Sequence, residues 1–211
     1  MERTNLKHIK ILPSRLHEAD EVGHTTMYHN ALTELQGIRN TVLACDPSFT
    51  AWGWAIMTPE GKPVKTGCIK TAPENKKTRI RKSDDRTRRT SEIVHVLLNL
   101  IKEYNVGLMV VEAMHGSQNA SAAVTIGIAA GIVQTLSDVL DIPVEYYSEQ
   151  DSKKCALGKK AATKDDMVDR MSEIFDADWT NIKYIDEAVA DSLAVFYCAQ
   201  QNSQMLKMMR K

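Results

Sequence analysis

The stretch TVLACDPSFTAWGWAIM, residues 41–57, decides the fold. Its first five residues are apolar or β-branched and read as a strand buried on both faces, as the inner strands of α/β sheets are. The run stops on a carboxylate, Asp46, and a PSFT turn hands the chain to a second strand, AWGWAIM (51–57). A charge at the end of a buried strand is costly unless something pairs with it. The company that Asp46 keeps therefore carries the argument.

Working outward, GK at 61–62 marks another turn, and PVKTGCIK (63–70) completes a three-stranded meander. In SEIVHVLLNLIKEY (91–104), Ile93, Val94, Leu97, Leu98 and Ile101 recur with helical period. GLMVVE (107–112) is a short, continuous apolar strand that also ends on a carboxylate, Glu112. A small-residue helix over 117–140 follows, then a strand, IPVEYY (142–147), and helices near 163–176 and 185–205. Strands alternating with long helices imply parallel pairing. The fold expected is α/β, a five-stranded mixed sheet of order 3-2-1-4-5 flanked by helices.

In such a sheet, functional groups gather beyond the carboxyl ends of the parallel strands. Strand order 3-2-1-4-5 makes the strands of Asp46 and Glu112 neighbours. Two adjacent carboxylates repel, and one takes up a proton unless a cation intervenes. Hard oxygen donors suit Mg²⁺ or Mn²⁺. YIDEAVADSLAVFYCA (184–199) adds Asp191, which interrupts an apolar helical face. Asp186 and Glu187 lie at the start of that helix, where negative charge is also favourable against the helix dipole.

These blocks, in this order, resemble the RuvC-type Holliday junction resolvases of the RNase H-like superfamily. LACDPSFTAWGWAIM resembles the family's first strand, aspartate and hairpin. GLMVVEAMHGSQNASAAVTIGIAAGIV resembles its strand, glutamate and long small-residue helix. SKKCALGKKAATKDDMVDRM resembles its basic loop and helix, and DEAVADSLAVF its closing acidic helix. The resemblance spans about 41–200. It implies an RNase H-like nuclease domain over 41–205, between an N-terminal extension (1–40) and a C-terminal tail (206–211). It implies a magnesium-dependent crossover junction endodeoxyribonuclease that hydrolyses phosphodiesters in four-way DNA junctions with two metal ions, giving symmetric nicks. Asp46, Glu112 and Asp191 are then metal-binding catalytic residues. Where the family has a fourth ligand three residues from the last aspartate, this chain has Ala188 and Ala194. Asp186 or Glu187 is left to substitute, with Asp186 preferred. Three residues after the glutamate, where family members often carry an aromatic wedge, stands His115.

Basic residues supply the counterpart for DNA. ENKKTRIRKSDDRTRRT (74–90) holds eight, among them Arg79, Arg81 and Arg86. The plain alternative for this stretch is a solvated loop paired with Asp84 and Asp85. A second group, Lys153, Lys154, Lys159, Lys160 and Lys164, precedes a helix. By resemblance, Lys153 and Lys164 contact DNA near the scissile phosphate and Lys164 assists catalysis; His115 and Asn119 join the DNA-binding set. A four-way junction has two-fold symmetry, so paired incisions call for two sites and a homodimer. Gly127 and Gly131, with Ala123 and Ala130 nearby, suit close helix approach, whether in the core or at a dimer face.

Composition bounds the setting. The 211 residues carry no formal net charge, so only the distribution of charge argues for a polyanionic partner. Cys45, Cys68, Cys155 and Cys198 are widely spaced and read as reduced thiols of a cytoplasmic protein. ASAAVTIGIAAGIV (120–133) is too short and too rich in small residues to span a bilayer, and the start of the chain has neither a signal peptide's apolar core nor a transit peptide's composition. His8, His17, His24 and His29 match no compact ligand spacing, and residues 1–40 read as a solvated or partner-binding extension. Other RNase H-like nucleases, acting on flaps, branched DNA or RNA precursors, would carry the same carboxylates. An actin-like ATPase would need glycine-rich phosphate loops and a longer chain. A non-catalytic junction binder would need neither the three acids nor the second basic group.

Overall fold

The computed structural model describes residues 39–74 and 80–210. The extension expected over 1–40 lies outside them save for Arg39 and Asn40, and Arg79 lies outside them as well. Five strands, β1 (Thr41–Asp46), β2 (Ala51–Met57), β3 (Pro63–Lys70), β4 (Val106–Glu112) and β5 (Val144–Tyr147), form one sheet. Their order is β3-β2-β1-β4-β5, as expected from the strand pattern. β1 pairs antiparallel with β2 and parallel with β4, and β4 pairs parallel with β5. This is the RNase H-like α/β fold.

Alternation along β1 explains its continuous apolar run. Val42 and Ala44 face one core, with Val110, Val189, Leu193 and Phe196. Leu43 and Cys45 face the other, with Ile93, Leu97, Val111 and Val133. Helices α1 (Lys82–Glu103) and α2 (Ala120–Leu140) cover the second face. Helices α3 (Glu149–Leu157), α4 (Lys164–Ile174) and α5 (Lys183–Asn202) cover the first. A short helix, α6 (Gln204–Met209), follows.

Four expectations change. Helix α1 starts at Lys82, nine residues before Ser91, because the basic stretch satisfies itself as a helix. Arg88 pairs with Asp85 and Glu92, and Arg89 is buried. Helix α3 occupies what read as a basic loop; it lacks an apolar period, but Ser148 caps its start and Gly158, at φ 69°, ends it. The boundary drawn at 205 falls inside α6, where Ser203 accepts from the Leu206 amide and Leu206 is wholly buried. Helix α2, expected over 117–140, spans Ala120–Leu140 to a left-handed cap at Asp141, so its 21 residues exceed the 120–133 stretch weighed against a bilayer. By length and composition it could cross a membrane, so shortness excludes nothing. Ile132, Val133 and Leu136 nonetheless bury one stripe of it in the core.

Candidate active site

Asp46 and Glu112 end adjacent parallel strands, one residue beyond the Cys45–Val111 pair. Neighbouring strands lie about 4.8 Å apart, so the two carboxylates share one edge of the sheet. Across β2, Asp46 is in register with Gly53. At Gly53 helix α5 comes down onto the sheet: a Cβ there would stand 1.9 Å from the Ala188 carbonyl oxygen. Glycine in a strand interior marks such a close approach. The contact seats α5 over β1 and β2, with Asp191 three residues further along the helix.

Electrostatics tie the three acids together. Burial first, then the charge of Asp191, pushes Asp46 up to about 7, against the pull of Lys164. Burial, with the charges of Asp46 and Asp191, pushes Glu112 up to about 8. Asp191 is raised too, burial outweighing the Lys164 ammonium 3.1 Å from its Oδ2. Burial disfavours the charge on Lys164, yet Asp191 and Asp46 hold its pKa above the ordinary value.

A fourth carboxylate escaped the sequence reading. Glu149 opens α3 just past the end of β5, and its charge acts on Asp46, Glu112 and Asp191 alike. A hydrogen bond from Lys153 holds Glu149 itself below the usual carboxylate range. The available signal was its place: Glu149, like Asp46 and Glu112, follows the carboxyl end of a parallel strand.

Of the two substitutes for the missing fourth ligand, Asp186 is otherwise engaged. Its Oδ1 accepts from the Thr180 amide and the Thr180 hydroxyl, both at 2.9 Å, and the residue is buried. Glu187 lies 3.8 Å from Lys183 and acts on Lys164, so the electrostatic link to the site runs through Glu187. One oxygen of Asp186, the substitute preferred from the sequence, thus already closes the loop before α5.

The expected DNA contacts are scattered. Lys153 is tied to Glu149, and Lys164 to Asp191. Lys159 stands 3.9 Å from Asp166, and Lys160 is exposed. Lys154 lines a cavity with Cys155 and Cys198, on the side of α3 turned to the end of α5. His115 is exposed beyond β4 and acts on Glu149. The Asn119 side-chain Oδ1 is spent capping α2, accepting from the Ser121 and Ala122 amides. Arg81 is exposed at the start of α1, and Arg86 donates to Ser121.

Beneath the turn after Asp46 lies a clamp. Arg89 donates to the Phe49 carbonyl at 2.7 Å and to the Thr71 hydroxyl at 2.8 Å, and its guanidinium lies 4.3 Å over the Phe49 ring. Thr71 donates to the same carbonyl. The hairpin that follows the first acid is thus bolted to α1.

Over residues 42–199 the sequence matches the family model "Crossover junction endodeoxyribonuclease RuvC". The chain belongs to the RuvC family. RuvC of Pseudothermotoga lettingae is 28% identical over 163 residues, covering 74% of this chain and 91% of that protein. The Thermus thermophilus RuvC structure superposes with a TM-score of 0.59 at 20% identity, over 76% of this chain and 96% of that one. T. thermophilus RuvC in complex with Holliday junction substrate gives 0.58 at 18% identity, over 78% and 97%.

The donor set of this RuvC-family chain fits a hard divalent cation. Its acids are oxygen donors gathered at one sheet edge, partly desolvated and mutually repelling. Among the described residues, no three His, Cys, Asp or Glu side chains are drawn together tightly enough to chelate an ion as they stand.

Burial, with the mutual repulsion of the acids, predicts a pH dependence. Asp46 and Glu112 ionise near their ordinary 3.8 and 4.5 when unfolded, and near 7 and 8 when folded. The folded, metal-free chain therefore binds more protons across that interval. Its stability from these groups is full below about pH 4 and lost as pH rises through 8. The loss is on the order of a few kcal/mol. Thermal melts of the wild type against Asp46→Asn/Glu112→Gln should diverge as pH rises from 5 to 8, and Mg²⁺ should close the gap at pH 8. Parallel melting curves would contradict the cluster.

Proposed function

We propose that this chain is a structure-selective endodeoxyribonuclease that nicks four-way DNA junctions symmetrically by hydrolysing phosphodiester bonds. The observation that carries the reading is the electrostatically coupled trio Asp46, Glu112 and Asp191 at the carboxyl edge of β1 and β4. Membership of the RuvC family supports it. Two Mg²⁺ or Mn²⁺ ions, held by the trio with Glu187, would supply an activated water and charge for the leaving 3′ oxygen.

The chain's own residues prepare the rest. Strands β1 and β4 hold Asp46 and Glu112 rigidly, buried on both sides by the two cores. Lys164 restrains Asp191 through its ion pair and offers a donor to a non-bridging phosphate oxygen. Lys153 does the same from Glu149, while exposed Lys159 and Lys160 meet the flanking backbone. His115, beyond the end of β4, stacks on a base at the crossover. The four free thiols fit a cytoplasmic setting.

Incision of synthetic substrates with Mg²⁺ tests the reading. A four-way junction should be nicked in opposed strands at least roughly tenfold faster than linear duplex, a flap or an RNA hairpin. Equal cleavage of flaps or RNA would assign the chain to another RNase H-like activity.

Two active sites require two chains, and α2 offers the surface. A Cβ added at Gly127 or Gly131 would meet nothing within 4 Å, and Val124 is exposed. Small residues there serve no packing among the described residues of the protomer, which favours an isologous helix contact. Sedimentation equilibrium at micromolar concentration should give twice the protomer mass. Gly127→Leu should shift it to monomer; a wild-type monomer would refute the dimer.

A further inference from the structure

Helices α3 and α5 meet at two cysteines that the nuclease chemistry does not use. Cys155 and Cys198 bring their sulfurs to 2.7 Å, and both are free thiols 43 residues apart in sequence. The Asn202 amide nitrogen lies 3.7 Å from the Cys155 sulfur and 3.6 Å from that of Cys198, and it donates to the Cys198 carbonyl at 2.9 Å. Both cysteines line a cavity of about 470 Å³, together with Asp151, Lys154 and Gln201. A structural pair of buried cysteines would be sealed by apolar neighbours. This one faces an opening wide enough for a small oxidant.

We propose that Cys155 and Cys198 form a redox-active dithiol site that closes to an intrachain disulfide on oxidation by hydrogen peroxide. The half-buried Cys155 is the reachable thiol. Its sulfur, as thiolate, attacks one peroxide oxygen and the O–O bond breaks, giving a sulfenic acid and a hydroxide that takes up the proton lost by the thiol and leaves as water. The Cys198 sulfur then attacks the sulfenic sulfur and loses its proton. The S–O bond breaks and a second water departs. Two thiols and one peroxide give one disulfide and two waters, the thiols being oxidised by two electrons. Cys198 is buried and its sulfur lies against that of Cys155, so it meets the oxidised Cys155 sulfur and not the oxidant, which is the resolving role. The remaining pair cannot substitute: Cys45 is buried on the opposite face of the sheet and Cys68 lies in β3. A closed bond would staple the helix that bears Lys153 to the helix that bears Asp191.

The site stands on this geometry alone and is independent of the nuclease reading. Wild-type protein is exposed to a small excess of hydrogen peroxide, then counted for free thiols and mapped by peptide mass spectrometry without reduction. The thiol count should fall from four to two, with one cross-linked peptide pair carrying Cys155 and Cys198. The melting temperature should rise by roughly 5–10 °C, as closing a loop of this length does, and fall back with dithiothreitol. Cys198→Ser should retain three thiols before oxidation and trap a dimedone-reactive sulfenic acid at Cys155. Four thiols surviving oxidation, a bond through Cys45 or Cys68, or a cross-link between chains would each overturn the proposal.

Discussion

Asp46→Asn abolishes strand cleavage and leaves junction binding intact. The substitution keeps the shape of the side chain and removes the charge at the centre of the trio, so the site loses its ability to hold a cation while β1 keeps its packing. Loss of a single electrostatic group at a reaction centre commonly costs about 100-fold to 1,000-fold in rate; loss of a shared ligand should exceed the upper figure. Stability at pH 8 should rise, because the amide relieves repulsion from Asp191 and Glu112, and binding should tighten slightly as a negative charge leaves the phosphate path. The neighbouring acids separate by the same logic. Glu187→Gln should slow cleavage without lowering the melting temperature. Asp186→Ala should lower the melting temperature, since both Thr180 hydrogen bonds go, while folded protein keeps most of its activity. Gel-based incision and binding assays on one synthetic junction, with melts of each variant, check the series. Near wild-type nicking by Asp46→Asn would overturn the assignment.

Gly53→Val unfolds the face of the sheet covered by α5, or leaves it folded without activity. Even a methyl group at this position would stand 1.9 Å from the Ala188 carbonyl oxygen and 2.6 Å from its carbon, both backbone atoms that cannot rotate away. Helix α5 would have to lift from β2, opening the core around Val189, Leu193 and Phe196 and carrying Asp191 away from Asp46. Overpacking of this kind costs about 1–3 kcal/mol where neighbours can yield, and a clash with backbone on both sides belongs at or above the top of that range. Gly53→Ala is the finer probe: it should lower the urea midpoint and reduce cleavage together. A Gly53→Ala protein with wild-type stability and incision would show that α5 is not seated by this contact.

The parts of the site that could be read from the sequence are those written in strand pattern. Asp46 and Glu112 each close a short apolar run, and two such runs in an α/β pattern imply neighbouring parallel strands. Asp191 was legible because it breaks an apolar helical face. Glu149 was not, since it lies two residues past the end of β5 at Tyr147, and the intervening Ser148 looks like an ordinary loop start. The early turns of α1 were hidden by their charge: Arg88 and Arg89 read as solvent-facing until their partners, distant in sequence, are in view. Asp186 and Glu187 are adjacent in sequence, and only the position of Thr180 tells them apart.

The bolt under the first hairpin has a thermodynamic meaning for cation loading. Arg89 and Thr71 already fix the Phe49 carbonyl, three residues beyond Asp46. If Asp46 holds an ion as proposed, that ion would find the adjoining turn ordered and would lose little affinity to arranging it. Arginine keeps its charge at every pH the protein meets, so this readiness does not titrate away with the carboxylates above it.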